Sequence, residues 1–182
     1  LYFQSALIQK AEGAGEEDIQ KSESIQRKLF SLVKEINDYN LLKTKIEEAL
    51  RDEYSKLSDE EKSKLGDPEI FISSQTKSLT SPWFKYFLKY DPVPMLEKVK
   101  CPVLAINGEK DLQVPPKEDL SAIENALKKG DNKNYEVKML PGLNHLFQTA
   151  RTGAVSEYSQ IEETISPVAL ETMLNWLKKI AK

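Results

Sequence analysis

Two short apolar runs, each ending in a polar corner that contains glycine and separated by about one helix's length of chain, constrain this sequence more than anything else in it. The first, Pro102-Val103-Leu104-Ala105-Ile106, is continuous and bounded by Pro and Gly, as expected of a parallel strand buried on both faces. It runs into Asn107-Gly108-Glu109-Lys110-Asp111-Leu112-Gln113-Val114-Pro115-Pro116. The second, residues 135–140, alternates in polarity like a strand nearer a sheet edge, and leads into Pro141-Gly142-Leu143-Asn144-His145. Between them Pro115-Pro116 opens a helix whose Leu120, Ile123, Ala126 and Leu127 share one face, and Gly130 ends it. Ser166-Pro167 opens a last helix with Leu170, Met173, Leu174, Leu177 and Ile180 expected inward. Strand, helix, strand, helix predicts an α/β fold. In such folds the chemistry sits at the carboxyl ends of the strands, where this chain offers an acid and its only histidine.

Composition removes several function classes. The chain has 182 residues, 40% hydrophobic and 30% charged, enough for one ordinary domain or a small domain with an appendage. A net charge of −3 with interleaved acids and bases leaves no basic stripe, so no nucleic-acid partner is expected. No apolar run approaches membrane-spanning length, and no membrane role is expected. Cys101 is alone, which excludes an internal disulfide, and its place before the first strand reads as a small buried hydrophobe. Residues 1–5, Leu1-Tyr2-Phe3-Gln4-Ser5, look like the remnant of an engineered cleavage site left by an expression tag. The native sequence is then expected to start near Ala6.

Residues 6–90 read as a helical region and 91–182 as the α/β segment. Ile25, Leu29, Leu32, Val33 and Ile36 form one apolar stripe. After the break at Asn37-Asp38-Tyr39-Asn40, Leu42, Ile46, Ala49, Leu50 and Tyr54 form another, predicting an αα-hairpin. Ser58-Asp59-Glu60-Glu61 fits a capping box opening a short helix that Gly66 stops. Ser81-Pro82 starts a helix carrying Trp83, Phe84, Tyr86, Phe87 and Tyr90. Core packing is the simpler reading of these rings, and a pocket lining under a lid is the sharper one. Asp91-Pro92-Val93-Pro94 is a stiff connector, and Met95-Leu96-Glu97-Lys98-Val99 adds a helical turn or two.

A serine hydroxyl is a weak nucleophile until an imidazole accepts its proton, and the imidazole needs a carboxylate to hold its tautomer. Asp111 and His145 have the residue types for those two supporting roles, with Gly108 and Gly142 allowing tight corners at each. Singly, an Asp in such a loop is usually a turn former and a lone His a surface or packing residue. No Gly-x-Ser-x-Gly occurs in the chain. One His and one Cys far apart give no metal-ligand set, and neither a P-loop nor a dinucleotide pattern occurs, so no metal and no cofactor is expected.

The order acid then histidine, in the wording Gly-Glu-Lys-Asp-Leu-Gln-Val-Pro and Gly-Leu-Asn-His, resembles the acid and base of Ser-His-Asp hydrolases of the α/β-hydrolase superfamily. From about Leu7 onward the chain is similar to the helical cap and C-terminal segment of bacterial members related to the serine aminopeptidase and dienelactone hydrolase-like groups. The resemblance implies Asp111 as the triad acid, His145 as the general base, and a truncated α/β-hydrolase fold in which a helical cap precedes a β-α-β-α segment. It implies a parent enzyme that hydrolyses a carboxylic ester, thioester or small amide, its partner a small acyl substrate, with Tyr158 and Gln160 candidates for lining the pocket. The chain itself, lacking nucleophile elbow and oxyanion hole, is expected to be inactive and to form a homo-oligomer through open strand or helix faces. Two other readings stand beside this one: a helical interaction module with a non-catalytic α/β tail, and a phosphoryl-accepting or nucleotide-binding domain that uses Asp111.

Overall fold

The structure is a computed structural model that describes residues 1–181, apart from the side chain of Phe3. In chain order the elements are α1 (Tyr2–Ala11), α2 (Glu16–Glu35), α3 (Tyr39–Ser55), α4 (Asp59–Leu65), α5 (Pro68–Leu79), α6 (Pro82–Lys89), α7 (Val93–Leu96), β1 (Val103–Gly108), α8 (Pro116–Lys129), β2 (Tyr135–Leu140), a 3-10 turn at Val155–Gln160, and α9 (Pro167–Ile180). The chain is mostly helical with a two-stranded parallel sheet, and divides into two compact units, one of residues 1–19 with 91–182 and one of residues 20–90. Among the described residues no helix is long and apolar enough to cross a membrane.

The helical unit is built on the two stripes read from sequence. Leu29 and Val33 of the first stripe and Leu42, Ile46, Ala49 and Leu50 of the second are buried, Ile25, Leu32, Ile36 and Tyr54 are half-buried, and Phe30, outside the stripe as read, is buried too. Asp38 caps α3 by accepting from the Leu41 amide at 2.7 Å, and Ser58 and Glu61 form the reciprocal capping box of α4. Helix α5 is not anticipated by the sequence reading. Its Asp67 cap accepts from Glu69 and Ile70, Pro68 occupies the first turn, and Ile72, Thr76 and Leu79 are buried. The aromatic helix α6 departs from core packing. Only Phe84 packs inward, edge-on to Phe30 at 5.5 Å, while Trp83, Tyr86, Phe87 and Tyr90 are exposed. An eight-residue helix presents one short face to a neighbour, so the remaining rings stack on each other as Trp83 with Phe87 and Tyr86 with Tyr90.

In the other unit β1 and β2 are in parallel register from Val103↔Tyr135 to Gly108↔Leu140, with α8 packed on both strands. Leu120, Ala126 and Leu127 are the buried face of α8, Leu127 completely so. With a single neighbour, β1 is only half-buried over Val103–Ile106, short of the two-sided burial expected of it. The same narrowness corrects the expected inward face of α9. Strands lie about 4.8 Å apart, so a two-stranded sheet is too narrow to cover a helix's whole apolar stripe. Ala169 and Met173 reach the cluster of Leu140, Leu143, Ile106, Phe147 and Ile165, whereas Leu170, Leu174, Leu177 and Ile180 stay exposed. Cys101 is exposed rather than buried, because it stands ahead of the first paired strand residue, Val103.

Candidate active site

Because Gly108 and Leu140 are register partners, both strands end at one level and the corners that follow emerge side by side. Backbone hydrogen bonds continue the pairing past the sheet: the Glu109 amide donates to the Leu140 carbonyl and the Lys110 amide to the Leu143 carbonyl, both at 2.9 Å. The Gly142 amide donates back to Glu109 Oε2 at 2.9 Å. Gly108 opens the expected turn, its carbonyl accepting from the Asp111 amide at 3.1 Å, but it does so without a left-handed backbone. A Cβ there would lie 2.2 Å from the Leu143 carbonyl oxygen, so its missing side chain is what lets the two corners touch. Gly142 does take a left-handed turn, with φ of 73°.

This contact brings Asp111 and His145 together. His145 Nδ1 lies 2.9 Å from Asp111 Oδ2. The Asp111 carboxylate is 2% exposed, and its other oxygen accepts from the amides of Gln113 and Val114, both at 2.8 Å. Asp111 is thus a turn former through one oxygen and an imidazole partner through the other. The tautomer that fits a carboxylate partner has its proton on Nδ1, with the Nε2 lone pair on the opposite edge of the ring. The His145 side chain is 36% exposed, and among the described residues nothing hydrogen-bonds to Nε2. A second carboxyl, Asp119 on the first turn of α8, is raised above the ordinary carboxylate range by burial and, secondarily, by the charge of Asp111.

Several residues that shape the site are not evident from sequence spacing. Asn107 closes the acid corner by donating to the Val114 carbonyl at 3.1 Å. Gln113 donates to the Tyr158 hydroxyl at 3.1 Å, so Tyr158 braces the acid corner, whereas Gln160 lines a separate cavity of about 660 Å³ with Thr149, Arg151 and Glu157. Phe147, with φ of 56°, sits in the left-handed region that bulky residues avoid, held there by packing against Leu140 and Leu143. A signal for Asn107 exists in hindsight, since Asn and Asp are the side chains that bond to their own turn. Among the described residues no group of three or more His, Cys, Asp or Glu side chains converges as a metal site.

No curated protein and no solved structure matches the chain. The model of the prolyl oligopeptidase family matches residues 62–166, more than half of the chain and a span that holds both Asp111 and His145. The chain belongs to the prolyl oligopeptidase family, a family of serine-peptidase type within the α/β-hydrolase superfamily.

Proposed function

We propose that this chain is the acid-and-histidine part of a serine hydrolase whose nucleophile lies on a segment outside the sequence. The observation that carries the reading is the 2.9 Å contact between Asp111 and His145, with the far edge of the imidazole open. In that role His145 Nε2 takes the serine proton as the serine oxygen bonds to the acyl carbon. It then delivers the proton to the leaving alcohol, thiol or amine as that bond breaks, and repeats the cycle with water. Asp111 stays ionised, holding the tautomer and stabilising the imidazolium. The substrate class is a carboxylic ester, thioester or small amide. The corner wording and the preceding helices support a likeness to bacterial serine aminopeptidase and dienelactone hydrolase-like groups, with residues 6–90 as cap and 91–182 as core.

The alternative, a helical interaction module with a non-catalytic tail, gives no reason for a buried carboxylate to face the only imidazole. The test is turnover of the longer enzyme carrying His145→Ala. A loss of three or more decades in kcat with a small change in KM is expected on the order of magnitude of triad removal. Comparable turnover in that variant would overturn the assignment. Without that segment the chain has an open β1 edge, an exposed α9 stripe and a groove of about 240 Å³ lined by Leu104, Ile106, Met173, Trp176 and Leu177. These support self-association of the chain as given. Sedimentation is expected to show a dimer or higher species, and a tight monomer at high concentration refutes it.

A further inference from the structure

Asn144, directly before His145, is 0% exposed, and its polar atoms are engaged on both sides of the corner. Its Oδ1 accepts from the amides of Leu146 and Gln148, both at 2.9 Å. Only the oxygen of a carboxamide can face two N–H donors, so chemistry fixes its orientation. Nδ2 is thereby turned to Gln148 Oε1, to which it donates at 3.0 Å. That acceptance leaves Gln148 Nε2 pointing at the Glu163 carbonyl, where it donates at 2.9 Å. Two carboxamides thus form a directional relay from the amides of the histidine corner to the chain entering α9. Backbone bonds run alongside it, from the Asn144 amide to the Gln148 carbonyl and from the Ser166 amide to the Phe147 carbonyl, at 2.9 and 2.8 Å.

We propose that the Asn144–Gln148 pair is the positioning device of His145, fixing the corner so that Nδ1 meets Asp111 and Nε2 faces outward. This rests on the reading of His145 as the general base. Neither carboxamide touches reacting atoms, so both are positioning residues. The relay also explains the strained Phe147 backbone: a residue with φ of 56° persists only where its surroundings over-determine it, and the relay closes on either side of it. Direction separates this role from plain packing. Gln148→Glu keeps size and an acceptor for Asn144, but sets an oxygen against the Glu163 carbonyl. Gln148→Met keeps size and removes both polar contacts.

His145 is the only histidine, so the imidazole nitrogens give one set of ¹⁵N signals without assignment. In the full chain the Nδ1–H tautomer is expected to dominate. In folded Gln148→Glu and Gln148→Met it is expected to fall to a minority, with Nε2–H, the form an unconstrained neutral histidine side chain prefers, taking its place. Wild-type tautomer ratios in both folded variants overturn the proposal. Should both fail to fold, the wild type decides: the side-chain NH₂ protons of Asn144 and Gln148 are expected to be protected from solvent exchange, and rapid exchange overturns the relay. Asp111→Asn separates the two layers of the argument. If that substitution leaves the tautomer unchanged, the base reading fails. If it scrambles the tautomer while the Gln148 variants do not, only the relay fails.

Discussion

Gly108→Ala is a demanding test of how the two corners meet. The added Cβ would stand 2.2 Å from the Leu143 carbonyl oxygen, 2.5 Å from that of Asn144 and 2.7 Å from the Leu143 carbonyl carbon. Cβ contacts below 3.0 Å essentially do not occur, so the corners must separate by about 0.8 Å or more. All three obstructing atoms are backbone and cannot swing aside. Forced overpacking costs about 1–3 kcal/mol, and stretching the 2.9 Å bond from the Lys110 amide to Leu143 adds about 1 kcal/mol. The expected total is about 2–4 kcal/mol. Gly142→Ala is the control, since its Cβ would meet nothing within 4 Å and the φ of 73° alone should cost about 1–2 kcal/mol. Urea unfolding followed by Trp176 fluorescence, in a Trp83→Phe background, reads the α/β unit separately. A Gly108→Ala protein as stable as wild type, or less damaged than Gly142→Ala, refutes the close-approach argument.

Further expectations concern stability in each unit. Ile46→Ala, at a position on α3 that is 0% exposed, should cost about 2–5 kcal/mol by urea-induced loss of circular dichroism, and a cost below 1 kcal/mol would place Ile46 outside the core. Glu157 is held below the ordinary glutamate range by the amides of Thr152 and Gly153, Thr152 foremost, and by Arg151. Its contribution is therefore present above the unfolded-state value of about 4.3 and lost as pH falls through its lower folded-state value. Glu157→Gln should erase part of the acid sensitivity of the unfolding midpoint, and an unchanged pH profile contradicts the assignment. Asp119, raised by burial, has the opposite sign: its ionisation opposes folding as pH rises through its folded-state value. Asp119→Asn should thus stabilise the protein at pH 7 but not at pH 3, and equal midpoints for both proteins at pH 7 would count against it.

What could be read from the sequence was whatever local chemistry decides. The caps at Ser58, Ser81 and Ser166, the stripes of α2 and α3, and the run bounded by Pro102 and Gly108 each depend on a few neighbouring residues. Helix α5 escaped because Ile-Phe-Ile-Ser-Ser-Gln-Thr is rich in β-branched and hydroxyl side chains that disfavour helix interiors, although the Asp67-Pro68 start signal was there. The exposure of most α6 rings, against the core-packing reading, and of most of the apolar face of α9 has another cause. Periodicity shows that a stripe exists, but how much surface lies opposite it is a tertiary quantity, and two strands offer little. Strand-end placement does foretell that Asp111 and His145 lie on adjacent corners. The Asn144–Gln148 relay and the steric role of Gly108 could not be read, since they depend on where the Glu163 and Leu143 carbonyls arrive.

A hydrogen bond from His145 Nδ1–H to the ionised Asp111 carboxylate is what would join the two corners into one site, and the imidazole Nδ1–H signal of the wild-type chain reports on it without an intermediary. A single low-field, slowly exchanging Nδ1 proton is predicted, lost in Asp111→Asn while the amide spectrum shows the fold intact. An imidazole protonated on Nε2 in the wild type, or an Nδ1 signal indifferent to Asp111→Asn, contradicts it.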